Sequence, residues 1–424
     1  MRRAGHALVG VAAAVALWSL SLAGSDLPPW RDVDDMPLAA DASGSVLVQR
    51  GEQSILAEPS ATATRRGTAR MGAGLPWFGA KRASGCAARW INVGPLAWIC
   101  QDVLAFDPRP PLGFGQATET FATGGLPFRY YFVGQRGSSG YSRLEDADDV
   151  APDHDFEPGF AVAVVDEGVK QSARYVRTHH GYWVPLRDLV PVTPFGFHGE
   201  ELKEGKVDFA WVVEDRAVVY AAPGGAALKS DPPRRRFDKV DVLEEKATKG
   251  GAFVRIGEKA WVRARDVRRP VPAPPPSSVR SGERWVDVDL ATQTLVASEG
   301  ETPVFATLVS TGKGREGTDS ATPKGEFRIW VKLASSNMDN LEDEDAARYY
   351  AIEDVPYVQY FAKGVGLHGA FWHRAFGHER SHGCVNLAPL DAQRLFAFTS
   401  PHLPAGWTAV LPTSVESGTV VRVR

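Results

Sequence analysis

One segment near the end of the chain places a thiol close in sequence to several imidazoles. Cys384 is preceded by the histidines His368, His373, His378 and His382. A thiol becomes a strong nucleophile when it loses its proton, and a nearby imidazole can accept that proton to give a thiolate–imidazolium pair. Gly383 leaves space beside the thiol, and backbone amides there could stabilise an oxyanion. The residues therefore predict a cysteine nucleophile, with any of the four histidines as its base.

The same side chains could instead hold zinc, because histidine and cysteine are its usual ligands. The sequence has no paired Cys-x-x-Cys and no His-Glu-x-x-His run on a predicted helix, which are the usual zinc patterns. We therefore expect no metal at this site. His373 and His378 are interpreted as loop residues.

The segment resembles the signature of the L,D-transpeptidase catalytic domain of the YkuD type. The matching positions are His368, Gly369, Gly377, Ser381, His382, Gly383 and Cys384. Upstream, Ser310-Thr311-Gly312 and the run from Thr322 to Phe327 resemble the Thr-Gly and Thr-Pro-x-Gly-x-Phe elements of that family. Asn386 occupies a position where many members carry Arg and others Asn. The resemblance covers about residues 284–424 and does not extend to the rest of the chain.

The resemblance implies a role for each matching residue. Cys384 corresponds to the nucleophile and His368 to the general base, whose imidazole the carbonyl of Gly369 would orient. Backbone amides around His382, Gly383 and Cys384 would form the oxyanion region, next to Ser381. Asn386 would hold the substrate or the loop.

The implied substrate is a peptidoglycan stem peptide. Cys384 would attack the carbonyl of the third stem residue, release D-Ala, and pass the acyl group from a thioester to a second stem in a 3→3 cross-link. With water as the acceptor, the same site would be an L,D-carboxypeptidase. A non-catalytic wall-binding protein is the third alternative. Thioester chemistry needs no cofactor.

The N-terminus has the features of an export signal. Arg2 and Arg3 precede an apolar run from Leu8 to Ala23, so residues 1–23 are predicted to be a secretory signal peptide. An uncleaved anchor is the alternative. The protein is therefore expected in the periplasm or cell envelope, with the membrane contacted only through this signal. The net charge of −3 and the absence of a concentrated basic face exclude a nucleic-acid partner.

Export also bears on the three cysteines, since disulfides persist outside the cytoplasm. Cys86 and Cys100 flank a strand-like segment and could bridge, which would leave Cys384 as the reactive thiol. The alternative is that all three are free and buried.

Between the signal and the catalytic segment, the sequence predicts a spacer and a repeat. Residues 24–66 show little periodicity and are predicted to be a disordered spacer. Residues 67–268 contain a Trp-apolar phrase with a following Asp three times, starting at Trp98, Trp183 and Trp261. Recurring short strands that end on a Trp favour tandem small β-barrel-like modules, which weakly resemble bacterial Src-homology-type barrels.

A proline-rich linker, residues 269–283, marks the next boundary because proline favours extended, unpaired backbone. After it, Val286, Val288 and Leu290 alternate with aspartates as in a half-buried strand. One helix is predicted from Pro389, with Leu395 and Phe398 on its apolar face. The expected fold is mainly β: an L,D-transpeptidase β-sandwich with a short helix at 284–424, preceded by the barrel-like modules.

Overall fold

The computed structural model of the protein describes residues 44–111, 124–193, 195–341 and 349–424. Strands make up most of the regular structure in these ranges, and a single α-helix lies near the C-terminus, so the prediction of a mainly β fold is confirmed. The predicted signal peptide, residues 1–23, lies outside the described residues. Within the four ranges, no helix is both long enough and apolar enough to span a membrane.

The first unit, residues 45–107, consists of short strands. They are β1 (Ser45–Val48), β2 (Glu52–Leu56), β3 (Arg65–Arg70), β4 (Gly74–Leu75), β5 (Gly79–Lys81), β6 (Trp90–Gly94), β7 (Ala97–Cys100) and β8 (Leu104–Asp107). Val46, Val48 and Ile55 lie in one apolar core. The prediction of a disordered spacer at 24–66 is therefore wrong for residues 44–66. The polar composition of this segment concealed a few apolar residues that are enough to anchor two short strands.

The cysteines divide into a bonded pair and a free thiol. Cys86 and Cys100 form a disulfide, and Cys384 is free. The Asp102 carboxylate accepts hydrogen bonds from the Ala87 and Ala88 amides, at 3.0 and 3.1 Å, and so holds the loop that the disulfide closes. A closed loop of this size contributes about 3 kcal/mol by restricting the unfolded chain.

The second unit, residues 129–191, and the third unit, residues 209–268, follow. The second contains β9 (Arg129–Val133), β10 (Ser138–Gly140), β11 (His154–Phe156), β12 (Ala161–Lys170), β13 (Ala173–Thr178), β14 (Trp183–Pro185) and β15 (Leu189–Pro191). A short strand, β16 (Glu200–Glu201), lies between the units. The third contains β17 (Phe209–Val212), β18 (Lys239–Asp241), β19 (Glu244–Thr248), β20 (Gly251–Gly257), β21 (Ala260–Arg263) and β22 (Val267–Arg268). Each unit has its own apolar cluster.

All three copies of the Trp phrase have the same local structure. The Trp lies on or next to a strand, the Asp lies in a 3-10 turn, and a second strand follows at once. The turns are Gln101–Val103, Leu186–Asp188 and Ala264–Asp266. The recurrence of the phrase therefore reflects a repeated strand–turn–strand element, while the assignment of the units as barrel-like modules stays a prediction.

The C-terminal domain, residues 284–424, is a sandwich of two sheets around a helix. Its elements are β23 (Arg284–Asp289), β24 (Thr294–Glu299), β25 (Thr302–Ser310), β26 (Gly325–Arg328), β27 (Val331–Asp339), β28 (Ala351–Ala362), β29 (Val365–Gly369), β30 (Val385–Leu387), α1 (Pro389–Phe398), β31 (Ala409–Val410) and β32 (Val420–Val423). One sheet has the order β25-β24-β23-β32-β26. The other has the order β25-β30-β29-β28-β27-β31, so β25 belongs to both.

The helix α1 packs against the core between the sheets, as its sequence predicts. Pro389 occupies the first turn, where the missing amide hydrogen costs nothing. Leu395 and Phe398 are buried with Leu367, Val385 and other residues of both sheets. The strand β30, which follows the thiol, therefore lies over a firmly packed core.

The strand β23 is more buried than the alternation of its residues predicts. Asp287 is 2% exposed, because the neighbouring β32 places two arginines over it. Arg422 Nε and Arg424 Nε donate to the Asp287 carboxylate at 2.7 and 2.9 Å. The same guanidinium groups donate to the carbonyls of Pro274 and Val271 in the linker. The proline-rich segment thus lies against the domain and covers this polar face.

The three units pack directly on the C-terminal domain. In the first unit, β3 pairs with β31, setting Gly67 opposite Val410. In the second, β12 pairs with β28. The strand β16, which leads into the third unit, pairs with β25. Short stretches of backbone pairing therefore join the N-terminal part of the chain to the sheets of the sandwich.

The interface between the second unit and β28 contains a cluster of ionisable groups. His179 Nδ1 and His180 Nε2 lie 2.8 and 3.2 Å from Asp354 Oδ2, and Ser335 Oγ donates to Asp354 Oδ1 at 2.6 Å. The neighbouring Glu353 accepts a hydrogen bond from the Ala163 amide. Burial raises the pKa of Glu353 to about 7, and the hydrogen bond to Asp354 raises the pKa of His180.

These two shifts predict that this cluster contributes less to the stability of the protein as pH rises from about 5 to 8. Glu353 binds its proton more tightly in the folded state than in the unfolded state, where its pKa is near 4.5, so its contribution is lost as pH rises through 7. The contribution of His180 is lost above its unfolded value of 6.5. We expect the two groups together to lose about 1–3 kcal/mol of their contribution over this range, measured with urea as the difference between the wild type and Glu353→Gln. Glu353→Gln should reduce this loss, and an unchanged pH dependence in that variant would contradict the assignment.

Candidate active site

The strands β29 and β30 position the histidine and the thiol that the sequence singles out. They pair in parallel, with His368 opposite Asn386 and Leu367 opposite Val385. Paired residues in a sheet point to the same face, and adjacent strands lie about 4.8 Å apart. Cys384 immediately precedes Val385, two residues before Asn386. The register therefore brings the imidazole of His368 and the thiol of Cys384 onto one face of the sheet, on neighbouring strands.

His368 has the protonation pattern of a general base. Its ring is buried, and Nδ1 donates a hydrogen bond to the Gly369 carbonyl at 3.1 Å. Fixing the proton on Nδ1 leaves Nε2 as the acceptor. Trp372 stacks on the ring, with centroids 5.7 Å apart. Burial lowers the pKa of His368 to about 4, so the imidazole is neutral at physiological pH.

Cys384 is half-buried at the start of β30, next to the hairpin that joins β28 and β29. Its Sγ lies 3.7 Å from the Gly364 carbonyl. Burial raises the pKa of the thiol, although a hydrogen bond from the Gly366 amide partly offsets this effect. Low exposure disfavours the charged forms of both His368 and Cys384. In the resting site, burial therefore favours the neutral form of the thiol and the neutral form of the imidazole. The thiolate–imidazolium pair expected from the sequence stays a prediction for the reacting state, because the sequence does not reveal how far burial opposes it.

A tight turn from Ser381 to Cys384 fixes the thiol. Ser381 Oγ donates to the Cys384 carbonyl and accepts a hydrogen bond from the Gly383 amide at 3.2 Å. Gly383 has a φ of +125°, which residues with a side chain rarely adopt. Since the Gly383 amide already bonds to Ser381, the amides of His382 and Cys384 are the better candidates for oxyanion donors. His382 is exposed and stacks on Tyr350 at 6.1 Å.

The two upstream elements noted in the sequence hold this turn in place. Thr322 Oγ1 donates to the Gly383 carbonyl at 2.7 Å and accepts from the Gly312 amide at 2.8 Å. A side chain at Gly312 would meet the Ser320 carbonyl at 2.4 Å, so only glycine fits there. The amide of Ser381 donates to the Thr311 carbonyl. The Thr-Gly and Thr-Pro elements therefore act as a scaffold for the catalytic turn.

Asn386 contacts the loop between the two candidate catalytic residues. Its side-chain amide lies 2.9 Å from His373 Nε2, while His373 Nδ1 accepts from the Ala375 amide at 3.1 Å. Burial lowers the pKa of His373 to about 3, so the ring is neutral and carries its proton on Nε2. Asn386 must then present Oδ1 to His373, which also satisfies an oxygen that the opposite amide orientation leaves buried without a donor. Asn386 thus holds the loop in this structure.

The third unit and the segment just before it contact the middle of the loop between His368 and Cys384. Phe376 is fully buried among Phe197, Trp211 and Val213. His378 Nε2 lies 3.2 Å from the Val213 carbonyl. Arg268, at the end of β22, donates from Nε to the Gly377 carbonyl at 3.1 Å. The loop that carries His373 and leads into the catalytic turn is therefore anchored outside the C-terminal domain.

We expect Arg268→Ala to lower kcat/KM for acyl transfer about tenfold, because a displaced loop misaligns the reacting groups. The buried bond to Gly377 should cost about 1–3 kcal/mol in stability when it is lost. Arg265→Ala is the matched control, since the Arg265 side chain is 74% exposed on the same segment. Rates measured on a stem-peptide substrate would compare the two. Equal activity of both variants would argue against anchoring through Arg268.

Sequence reasoning missed the anchors that come from distant parts of the chain. Arg268 and Phe376 are far apart in sequence, and neither belongs to a motif. Gln293, whose amide donates to Thr311 Oγ1 and accepts from the Thr311 amide, also gave no signal. The four histidines near the thiol do not gather around it. In the described ranges, the groups of His, Cys, Asp and Glu with ligand atoms close together are Cys86–Cys100–Asp102 and His179–His180–Asp354.

A comparison with known families matches the part of the chain that contains this site. Residues 283–423 match the L,D-transpeptidase catalytic domain family (YkuD). No curated protein matches the chain.

Among solved structures, an L,D-transpeptidase of Enterococcus faecium is 24% identical over 34% of this chain and 50% of its own, with a TM-score of 0.25. One from Stackebrandtia nassauensis is 28% identical over 34% and 57%, with a TM-score of 0.23. L,D-transpeptidase 3 of Mycobacterium tuberculosis is 18% identical over 43% and 79%, with a TM-score of 0.26. The chain thus spans half the length of the Enterococcus protein. Residues 283–423 form an L,D-transpeptidase catalytic domain of the YkuD family.

Proposed function

We propose that the protein is a peptidoglycan L,D-transpeptidase that forms 3→3 cross-links through a thioester on Cys384. The observation that carries this proposal is the parallel register of β29 and β30, which sets His368 and Cys384 on one face with His368 Nε2 left as a proton acceptor. The partners are stem peptides of the exported wall polymer, and the expected location is the periplasm or cell envelope. The reaction needs no cofactor.

The neutral resting pair determines the order of the proton transfers. Cys384 Sγ attacks the carbonyl of the third stem residue while its proton passes to His368 Nε2. The tetrahedral oxyanion is stabilised by backbone amides of the catalytic turn. The imidazolium then returns the proton to the leaving amine of D-Ala, and a thioester remains. His368 is neutral again and ready for the acceptor.

The second half-reaction reverses these steps with a new amine. The side-chain amine of another stem peptide attacks the thioester carbonyl and gives a proton to His368. The C–S bond breaks, and the sulfur recovers the proton from the imidazolium. The products are the new amide bond and free Cys384. Water in place of the amine would release a tripeptide, which is the carboxypeptidase outcome.

The test is to incubate the full-length protein with disaccharide-tetrapeptide and determine the masses of the products. A dimer that has lost one D-Ala, with no added water, is the result expected for transpeptidation. A tripeptide monomer alone would show a carboxypeptidase. If the disaccharide-tetrapeptide is recovered unchanged and neither product forms, a non-catalytic wall-binding protein is favoured.

A further inference from the structure

Residues on neighbouring strands connect Cys384 to two aromatic side chains, Tyr360 and Trp330, at the surface of the sheet. The amide of Gly366 on β29 bonds to the thiol, and Gly366 pairs with Tyr360 on β28. A side chain at Gly366 would come within 3.1 Å of Tyr360 Cδ1. Glycine at this position therefore lets the ring of Tyr360 lie over the backbone that separates it from the thiol.

Trp330 extends the row to the next strand. Its amide donates to the Tyr360 carbonyl at 2.9 Å, and its ring stacks on Tyr360 with centroids 5.9 Å apart and planes at 24°. The side chain is 46% exposed, whereas Trp285 and Trp407 of the same domain are about 1% exposed. Leaving so much of an indole in water forgoes the free energy that burial provides, and exposed apolar surface can mark a binding site.

The chemistry of this pair favours a sugar ring over a peptide. The exposed part of the Trp330 indole, held by the nearly parallel ring of Tyr360, offers a flat apolar surface that matches the C–H face of a pyranose. The hydroxyl groups of Tyr360 and Ser336 lie close together at its edge, where they could bond to sugar hydroxyls. Stem peptides carry carboxylates and amines, which are better recognised by charged partners.

Distances agree with such an occupant. From Cys384 on β30 to Trp330 beside β27 there are three strand spacings of about 4.8 Å, or roughly 14 Å. Three extended residues span about 10–11 Å, and the linker that joins a stem to its sugar adds to this reach. A substrate with the carbonyl of its third residue at Sγ would therefore place the sugar near the aromatic pair.

We propose that Trp330 and Tyr360 form a platform that binds a pyranose ring of the glycan strand bearing the donor stem. This rests on the proposed transpeptidase function for its substrate. The platform would make the enzyme prefer stems that remain attached to glycan over free peptides. It would also orient the strand along the sheet.

The test compares kcat/KM for disaccharide-tetrapeptide and for free tetrapeptide in the wild type, Trp330→Ala and Trp330→Phe. The wild type should prefer the glycan-bearing substrate about tenfold, and Trp330→Ala should bring this ratio towards one, mainly through KM. Trp330→Phe keeps a ring and should retain most of the preference. Phe78→Ala, which removes an aromatic side chain that is 45% exposed on the first unit, is the control and should keep the ratio. A ratio unchanged by Trp330→Ala would overturn the platform.

A binding measurement separates failure of the platform from failure of the proposed function. Stem-free glycan strands are titrated by calorimetry into the Cys384→Ala variant, with and without Trp330→Ala. Binding that depends on Trp330 supports the platform even if the wild type proves inactive on both substrates. Absence of glycan binding, or binding that Trp330→Ala leaves intact, would overturn it.

Discussion

Cys384→Ala should lower the rate of D-Ala release from a tetrapeptide by about a thousandfold or more. The proposed reaction stores the acyl group on Sγ, and methyl in its place cannot form a bond to the carbonyl. Loss of the nucleophile in acyl-transfer enzymes typically removes almost all of the rate enhancement. Mass spectrometry of the protein incubated with the donor alone should show an adduct on the wild type and none on the variant.

Stability provides the control for this prediction. Cys384 is half-buried and outside the disulfide, so the alanine variant should unfold within about 1 kcal/mol of the wild type. Cys384→Ser keeps the shape and tests whether a hydroxyl can replace the thiol. Equal processing of the donor by wild type and Cys384→Ala would refute the proposed mechanism outright.

His368→Gln should lower kcat/KM by about 10²–10⁴-fold and change its pH dependence. In the wild type, the pKa of His368 near 4 keeps the base neutral, so activity should fall only when pH drops towards that value. Without the base, only thiol that has already ionised can react. Because burial raises the pKa of Cys384, the activity of the variant should keep rising with pH above neutrality.

His382→Gln is the matched control because it removes an exposed imidazole two residues before Cys384. It should retain most of the activity and the pH profile of the wild type. If this variant lost as much activity as His368→Gln, or if His368→Gln kept a flat profile, the base would have to be reassigned. Full profiles from pH 4 to pH 9 with one donor substrate would decide.

The catalytic segment was readable from sequence because its residues are close together and their order is distinctive. The Ser-His-Gly-Cys run forms one turn, and the spacing to His368 corresponds to a loop between two paired strands. The short helix was equally accessible, because Pro389 in its first turn and its apolar face are local features. Local patterns of this kind can be recognised without knowledge of the fold.

Properties that depend on distant contacts could not be predicted. The charge state of the pair follows from the burial of His368 and Cys384, which the packing of the loop and neighbouring strands creates. Residues 44–66 were misread because a few apolar side chains find their core partners elsewhere, including Trp407 and Val410 of the C-terminal domain. The burial of Asp287 requires arginines from the end of the chain.

The contacts of the third unit with Gly377 and His378 have a consequence for truncated forms of the protein. A fragment that begins at the family boundary, residue 283, would retain every residue of the motif but would expose Phe376 and leave the neighbouring carbonyl without its guanidinium. A piece that keeps these contacts therefore has to start near Phe195, well ahead of the residues that match the family. The turn from Ser381 to Cys384 is therefore held by contacts from both the C-terminal domain and the third unit, and its geometry depends on both.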